Sequence, residues 1–356
     1  MRYIVLVILL LSTVACKKKA EFDKEQMFKD IATNTILPAH LGLEAKANTL
    51  LLKVEAFVQN PNSIALSEAQ TAWKVAMSIW AFCEAYNLGP VKERYLTWII
   101  DRTPTNPTAI ETIIADSAQL IDSSFVAEQS SYNKGFPAIE YLLFNTDNSK
   151  ILSQYTNLNN VDRRKQYLTE VSSNLALQCS NLYNIWAPDG ENYSATFQSS
   201  LGNDLQGAIS MLSNSMINLT QEIARKKIGK PLGKEANDGL VHPEFIESPY
   251  ANYSFDIILG NLEGILLAFT TMGSGFDDYL NHLTENEDLS QKIITKIENA
   301  RVKIVEINAT LKTALANQTT KVEELYTEVR DLLILLNVDM ANSFMVTVLP
   351  SDSDGD

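Results

Sequence analysis

Gly135-Phe136-Pro137-Ala138-Ile139-Glu140-Tyr141-Leu142-Leu143-Phe144 places one carboxylate inside a run that otherwise reads as solid core. Helical from Pro137 onward, it puts Phe136, Leu143 and Phe144 on the side of Glu140, because three- and four-residue offsets share a helix face. Proline suits a first helical turn, where its missing N–H costs nothing, and Gly135 frees the backbone just before it. Glu140 then sits near a helix N-terminus, where negative charge is favoured. Acidic residues are rarely buried without a partner. Two readings therefore stay open: a carboxylate satisfied by backbone groups or an arginine, and a functional carboxylate.

Outward from this stretch the chain reads as helix after helix, with alternating strand patterns scarce, so the fold class is all-α. Helices are expected over Ala39–Gln59, between Pro38 and Pro61, and from a cap-like Ser67 through Tyr86, where Asn87-Leu88-Gly89-Pro90 is a stop signal. Within the second of these, Trp73, Trp80 and Glu84 share one narrow stripe, so Glu84 extends an aromatic face instead of a polar one. A turn-rich Thr103–Pro107 precedes a weaker helix, Ala109–Ile121. A polar loop is expected over Asn145–Asn160, then a long helix, Asp162–Trp186, broken by Ala187-Pro188-Asp189-Gly190. Length alone suggests about two domains, and this break sets them at 31–188 and 189–356.

The second half continues with a helix over Phe197–Lys227, whose final Arg225-Lys226-Lys227 suits a helix C-terminus. Residues 228–250 hold too many glycines and prolines for one element, and a connection this long is functional or disordered. Leu232, Leu240, Val241, Phe245 and Ile246 argue that it packs down on the helices. Further helices are expected at Ser254–Thr271, Phe276–Leu283, Leu289–Ala316 and Lys321–Asn337. Gly260 and Gly264 let another helix approach the first of these closely.

A formal charge of −14 argues against nucleic acid, whose binding relies on clustered Lys and Arg. Residues 1–16 read as a secretory leader: Arg2, an apolar Ile4–Leu11, then small residues up to Cys16. The stretch is too short to remain as a membrane span. Cys16 after Thr13-Val14-Ala15 is similar to a bacterial lipobox and is the expected lipidation site, with 17–30 as a polar tether. No aspartate follows it, which favours the outer membrane, periplasmic side, with the cell surface as the other option. Cys83 and Cys179 lie in apolar helical stretches and are expected as unpaired core thiols. His40 and His282 read as surface or cap-region residues, and His242 as an extended loop residue before Pro243.

The segment that opens this section resembles the G-x-H-x-x-E motif of the imelysin-like proteins (peptidase M75), with Pro137 where the family carries histidine. Three more segments, in family order, strengthen the resemblance. They are the tryptophans followed by Glu84-Ala85 and Gly89-Pro90; Arg225 to Gly233 with Glu247-Ser248-Pro249; and the terminal Asp354-Gly355-Asp356. The resemblance implies two related helical bundles side by side and a role linked to iron or another divalent cation.

Three functional classes follow. The first is a non-catalytic binding component of envelope metal uptake, working with an unknown envelope or uptake-system protein. The second is the metallopeptidase of the family label, which needs histidine-rich zinc ligands and a general base. Three scattered histidines, no H-E-x-x-H and no motif histidine count against it. The third is an envelope scaffold, or a binder of peptide or polysaccharide. The expected site is a cleft between the bundles, walled by Trp73, Trp80 and the Gly135–Pro137–Glu140 turn. Glu140 and Glu84 serve there as cation ligands, with Arg225, Glu247 and Ser248 nearby. A buried pairing of the carboxylates with Arg225 is the structural alternative.

Overall fold

The structure, a computed structural model, describes residues 20–157, 159–235 and 238–350. The expected leader with Cys16 and the acidic end from Asp352 to Asp356 lie outside the described residues, among which there is no strand. In the first half α1 (Lys24–Ile31) runs through a π turn into α2 (Leu37–Gln59), and α3 (Ser63–Cys83) ends in a 3-10 turn, Glu84–Tyr86. Four short helices follow: α4 (Pro90–Glu93), α5 (Leu96–Ile100), α6 (Pro107–Ala115) and α7 (Ser123–Glu128). Then come α8 (Gly135–Leu143), α9 (Asn148–Thr156) and α10 (Val161–Trp186). The second half holds α11 (Tyr193–Ser199) and α12 (Ala208–Glu222), which passes into a π turn, Ile223–Gly229. Beyond the connection lie α13 (Ser254–Thr270), α14 (Phe276–Thr284), α15 (Asp288–Ile307), α16 (Leu311–Asn317), α17 (Thr319–Ile334) and α18 (Ala341–Phe344).

Two groupings of helices position the site. α2 packs on α3 and α10, and α8 lies against both α3 and α10. In the second half α12, α13, α15 and α17 contact one another in a ring. α3 and α13 join the groups. A side chain on Gly264 would collide with the Phe82 carbonyl, and one on Gly260 with Ala81 and Ser78, so the two helices approach at backbone distance. Polar bonds cross the same seam: Asn261 Nδ2 donates to the Ala81 carbonyl at 2.7 Å and the Tyr86 hydroxyl to the Gly264 carbonyl at 3.2 Å. The buried apolar core runs continuously through it, from Met27 to Phe344.

Several sequence expectations are corrected by local chemistry. The tether expected over 17–30 gives way to the fold at α1, where Asp23 caps the helix and Met27, Phe28 and Ile31 are buried. α3 starts a turn before Ser67, because the Asn62 side chain accepts from the Ile64 and Ala65 N–H groups at 3.0 Å. The polar 145–160 segment contains α9, capped by Asp147 and buried along Ile151 and Tyr155. The helix expected to reach Ile121 stops at Ala115, where Asp116 turns back to accept from the Ala118 N–H. The helix expected over 197–227 is divided between α11 and α12. That over 289–316 breaks at Asn308, whose backbone is left-handed. That over 321–337 begins at Thr319 and continues through a π turn, Leu335–Met340, into α18. Of the apolar residues in the 228–250 connection, Leu232 and Ile246 are buried, while Leu240, Val241 and Phe245 are exposed.

Cys83 and Cys179 are free and buried. His40 is not a surface residue: it is 0% exposed, with the rings of Trp186 and Tyr86 edge-on at 6.0 and 6.4 Å. Neither ring nitrogen has a hydrogen-bond partner among the described residues. His282 is half-buried, its ring 5.4 Å from that of Phe22.

Burial holds the His40 pKa down at about 3, against 6.5 for the free side chain. The unfolded chain therefore takes up a proton that the folded one refuses, and stability is lost as pH falls from 6.5 toward 3. The expected loss from this group is roughly 2–3 kcal/mol by about pH 4.5. Thermal melts of wild type and His40→Leu across pH 7 to 4.5 check this; the variant should lack that share of the acid sensitivity, and parallel curves would exclude His40 as its source.

Candidate functional site

α8 begins where Gly135, at φ +72, passes under the Ile100 carbonyl, a place with no room for a side chain. Pro137 follows in the first turn, and the sequence then carries Glu140 to the buried face, 3% exposed. One oxygen, Oε1, accepts three hydrogen bonds: from Ser248 Oγ at 2.9 Å, from the Tyr250 N–H at 2.9 Å and from the Ala251 N–H at 2.8 Å. All three donors belong to the far end of the long connection. Trp73 Nε1 donates to the Phe136 carbonyl at 3.0 Å, tying α3 to the start of α8.

Beside this contact lies a second buried cluster. The π turn after α12 widens the helix, with the Lys230 N–H donating five residues back to the Arg225 carbonyl at 2.7 Å. Lys227 on this turn is buried, its Nζ 3.2 Å from Glu84 Oε2 and 3.0 Å from Glu247 Oε1. Glu84 Oε2 also accepts from Asn261 Nδ2 at 2.6 Å. Asp101, on the chain just after α5, accepts from Trp80 Nε1 at 2.9 Å.

Burial alone would lower the Lys227 pKa, but the carboxylates of Glu247, Glu84 and Asp101 outweigh it, so the ammonium is held well above its ordinary range. Burial raises Asp101 well above the carboxylate range, reinforced by Glu84 and Glu247 and opposed by Lys227. Burial also raises Glu247, with Lys227 opposing. Glu140 is pushed up to about 7 by burial, against the pull of its three donors and with a push from Glu247.

Most of the residues singled out in the sequence do gather here. Gly135, Pro137, Glu140, Trp73 and Ser248 form one contact, while Glu84, Trp80 and Glu247 belong to the adjoining cluster. The adjacent Glu247 and Ser248 bring the two together, so Glu84 and Glu140 converge on neighbouring residues of one loop.

Three expectations are corrected. Trp73 and Trp80 do not wall an open cleft: each is 1% exposed and spends its N–H inside the core. Arg225 is not the partner of the acids, since its Nε pairs with Glu235 at 3.2 Å on the surface. Glu140 and Glu84 do not face a shared opening: Glu140 Oε1 accepts from Ser248, Tyr250 and Ala251, and Glu84 Oε2 meets Lys227 and Asn261. Surface grooves of about 380 and 710 Å³ lie elsewhere, the first beside Lys53 and Glu68 and the second beside Lys296 and Asp331.

Sequence reasoning missed Lys227, Asp101, Asn261 and the backbone donors of Tyr250 and Ala251. Only Lys227 left a signal, as the third of three consecutive basic residues; a regular helix gives no reason to prefer it over Arg225.

These contacts give opposite expectations for two conservative changes. Glu140→Gln keeps a carbonyl acceptor and should cost little, whereas Glu140→Ala orphans three buried donors and should cost about 3 kcal/mol or more. Lys227→Met leaves Glu84 and Glu247 unpaired and should cost about 3–5 kcal/mol. Denaturant unfolding measures all three, and a Lys227→Met variant as stable as wild type would show the ion cluster to be dispensable.

A family model described as imelysin, peptidase M75, matches residues 36–336. Two crystal structures share the fold, each with a TM-score of 0.75, covering 92% of this chain and 97% of their own. One, from Parabacteroides distasonis, is named as an iron-regulated protein A precursor and is 19% identical; the other is an imelysin-like protein from Psychrobacter arcticum, 17% identical. No curated protein matches the sequence.

Proposed function

The chain belongs to the imelysin family, and from that membership we propose that it is a non-catalytic binding component of the cell envelope working in metal acquisition. The link to iron draws on the naming of one structural relative as iron-regulated. The envelope address draws on the leader and Cys16, which would anchor the chain by lipid at the outer membrane.

One observation carries the non-catalytic part: the carboxylates of the site are already engaged. Glu140 Oε1 is filled by three donors, and the position a cation would take between Glu84 and Glu247 is held by Lys227. Pro137 offers no ligand where the family motif has histidine. The residues present therefore do not fit a resident iron or other divalent ion, and hydrolysis through a metal-bound water finds neither ligands nor a free base here. Glu247 Oε2 and Asn261 Oδ1 accept nothing from the described residues.

Protein purified without chelator should carry far less than stoichiometric metal by elemental analysis, while its transcript rises under iron starvation. Stoichiometric metal lost in Glu84→Gln or Glu140→Gln would overturn the reading, as would peptide hydrolysis abolished by Glu140→Gln. No metal and no response to iron would favour the envelope scaffold instead. Labelled palmitate should enter the wild-type protein and not Cys16→Ala.

A further inference from the structure

Three of the four tryptophans are sealed in the core, but Trp98 on α5 is 38% exposed. It is part of a ladder of rings and one cation. Tyr95, 59% exposed, packs on it with ring centroids 5.3 Å apart and planes at 36°. The Arg102 guanidinium lies 4.3 Å from the Trp98 ring and 5.2 Å from that of Tyr132, which is 37% exposed, and Arg102 Nη2 donates to the Tyr132 hydroxyl at 3.0 Å. Tyr132 is itself fixed: its carbonyl accepts from the Asn106 N–H at 3.0 Å and from Thr105 Oγ1 at 2.9 Å. Tyr132 and the Arg102 that bonds it are thus held in place in the free chain, which lowers the ordering cost of using them.

The cation in this ladder is uncompensated. Arg94, Arg164, Arg225 and Arg301 each pair with a glutamate, Arg163 is satisfied by three backbone carbonyls, and Arg330 lies over a single ring, that of Tyr326. Arg102 has no carboxylate partner among the described residues, in a chain with 43 acidic and 29 basic residues. Guanidinium groups favour bidentate pairing with carboxylates. Tryptophan, tyrosine and arginine are also the residue types that dominate protein–protein hot spots.

We propose that Tyr95, Trp98, Arg102 and Tyr132 form a docking surface for a protein segment that presents a carboxylate beside an apolar side chain. The carboxylate pairs with the open edge of Arg102, and the apolar group covers Tyr95 and Trp98. A sugar ring is less suited to the place, since the Trp98 ring already carries Arg102 and packs against Tyr95. A lipid surface would have to bury the Arg102 charge to reach the same rings. The proposal is independent of the acid cluster, although Arg102 directly follows Asp101 and the surface lies just outside that site.

Selection of a displayed library of random linear peptides on the full chain tests it. Enriched peptides should carry Asp or Glu next to an apolar residue and should perturb Trp98 fluorescence. They should bind Arg102→Gln about tenfold more weakly or worse, with Arg102→Lys intermediate and Arg94→Gln like wild type. Unchanged melting of Arg102→Gln separates lost binding from lost structure. Enriched peptides lacking acids, equal binding to Arg102→Gln, or no enrichment at all would overturn the proposal. So would Arg102-dependent binding of uronate oligosaccharides or phosphatidylglycerol vesicles in the absence of peptide binding.

Discussion

A single buried ammonium, Lys227, sets the terms for everything around it. It is drawn from the end of α12 and held between Glu84, at the end of α3, and Glu247, on the long connection. Isolating that charge from water is costly, and so is isolating the carboxylates; each is tolerable only because the others are present. The same constraint fixes the connection at Glu247, and the next residue, Ser248, begins the set of donors that satisfies Glu140. The connection is thereby held against α3, α8 and the turn after α12 at once, and close packing of α3 on α13 brings the two groups of helices together.

The fold was legible because its signal is repetitive. Apolar periodicity and the Gly/Pro breaks gave the all-α class and the main helices, and four short segments gave the family. Helix ends were less legible, because they are decided by single side chains: Asn62, Asp116 and Asp147 each move a boundary by accepting one or two backbone N–H groups. His40 was misjudged because first-turn position in a helix says nothing about what packs over it; α10 and the turn after α3 cover it.

At the site the sequence singled out the acids but not their partners. A carboxylate in an apolar stripe is conspicuous, whereas a backbone N–H is invisible in any sequence, and two of the three donors to Glu140 are of that kind. The sequence placed Arg225, from the basic run at 225–227, beside the acids. Lys227, on the π turn Ile223–Gly229, is the residue that meets the acids, while Arg225 pairs with Glu235. What was read as a vacant hollow between carboxylates is therefore a filled one, and this difference moves the functional reading away from metal chemistry.

The π turn has a bearing on how such a site arises and disappears. A wide turn accommodates one residue more than an α-helical turn does, so its presence is a matter of chain length as well as of residue type. Loss of one residue between 223 and 229 would close the turn to α-helical pitch and leave the chain on either side in place, so that only the residues within the turn change face. Relatives of this chain with and without an internal cation could thus be separated by a deletion that leaves pairwise identity almost untouched.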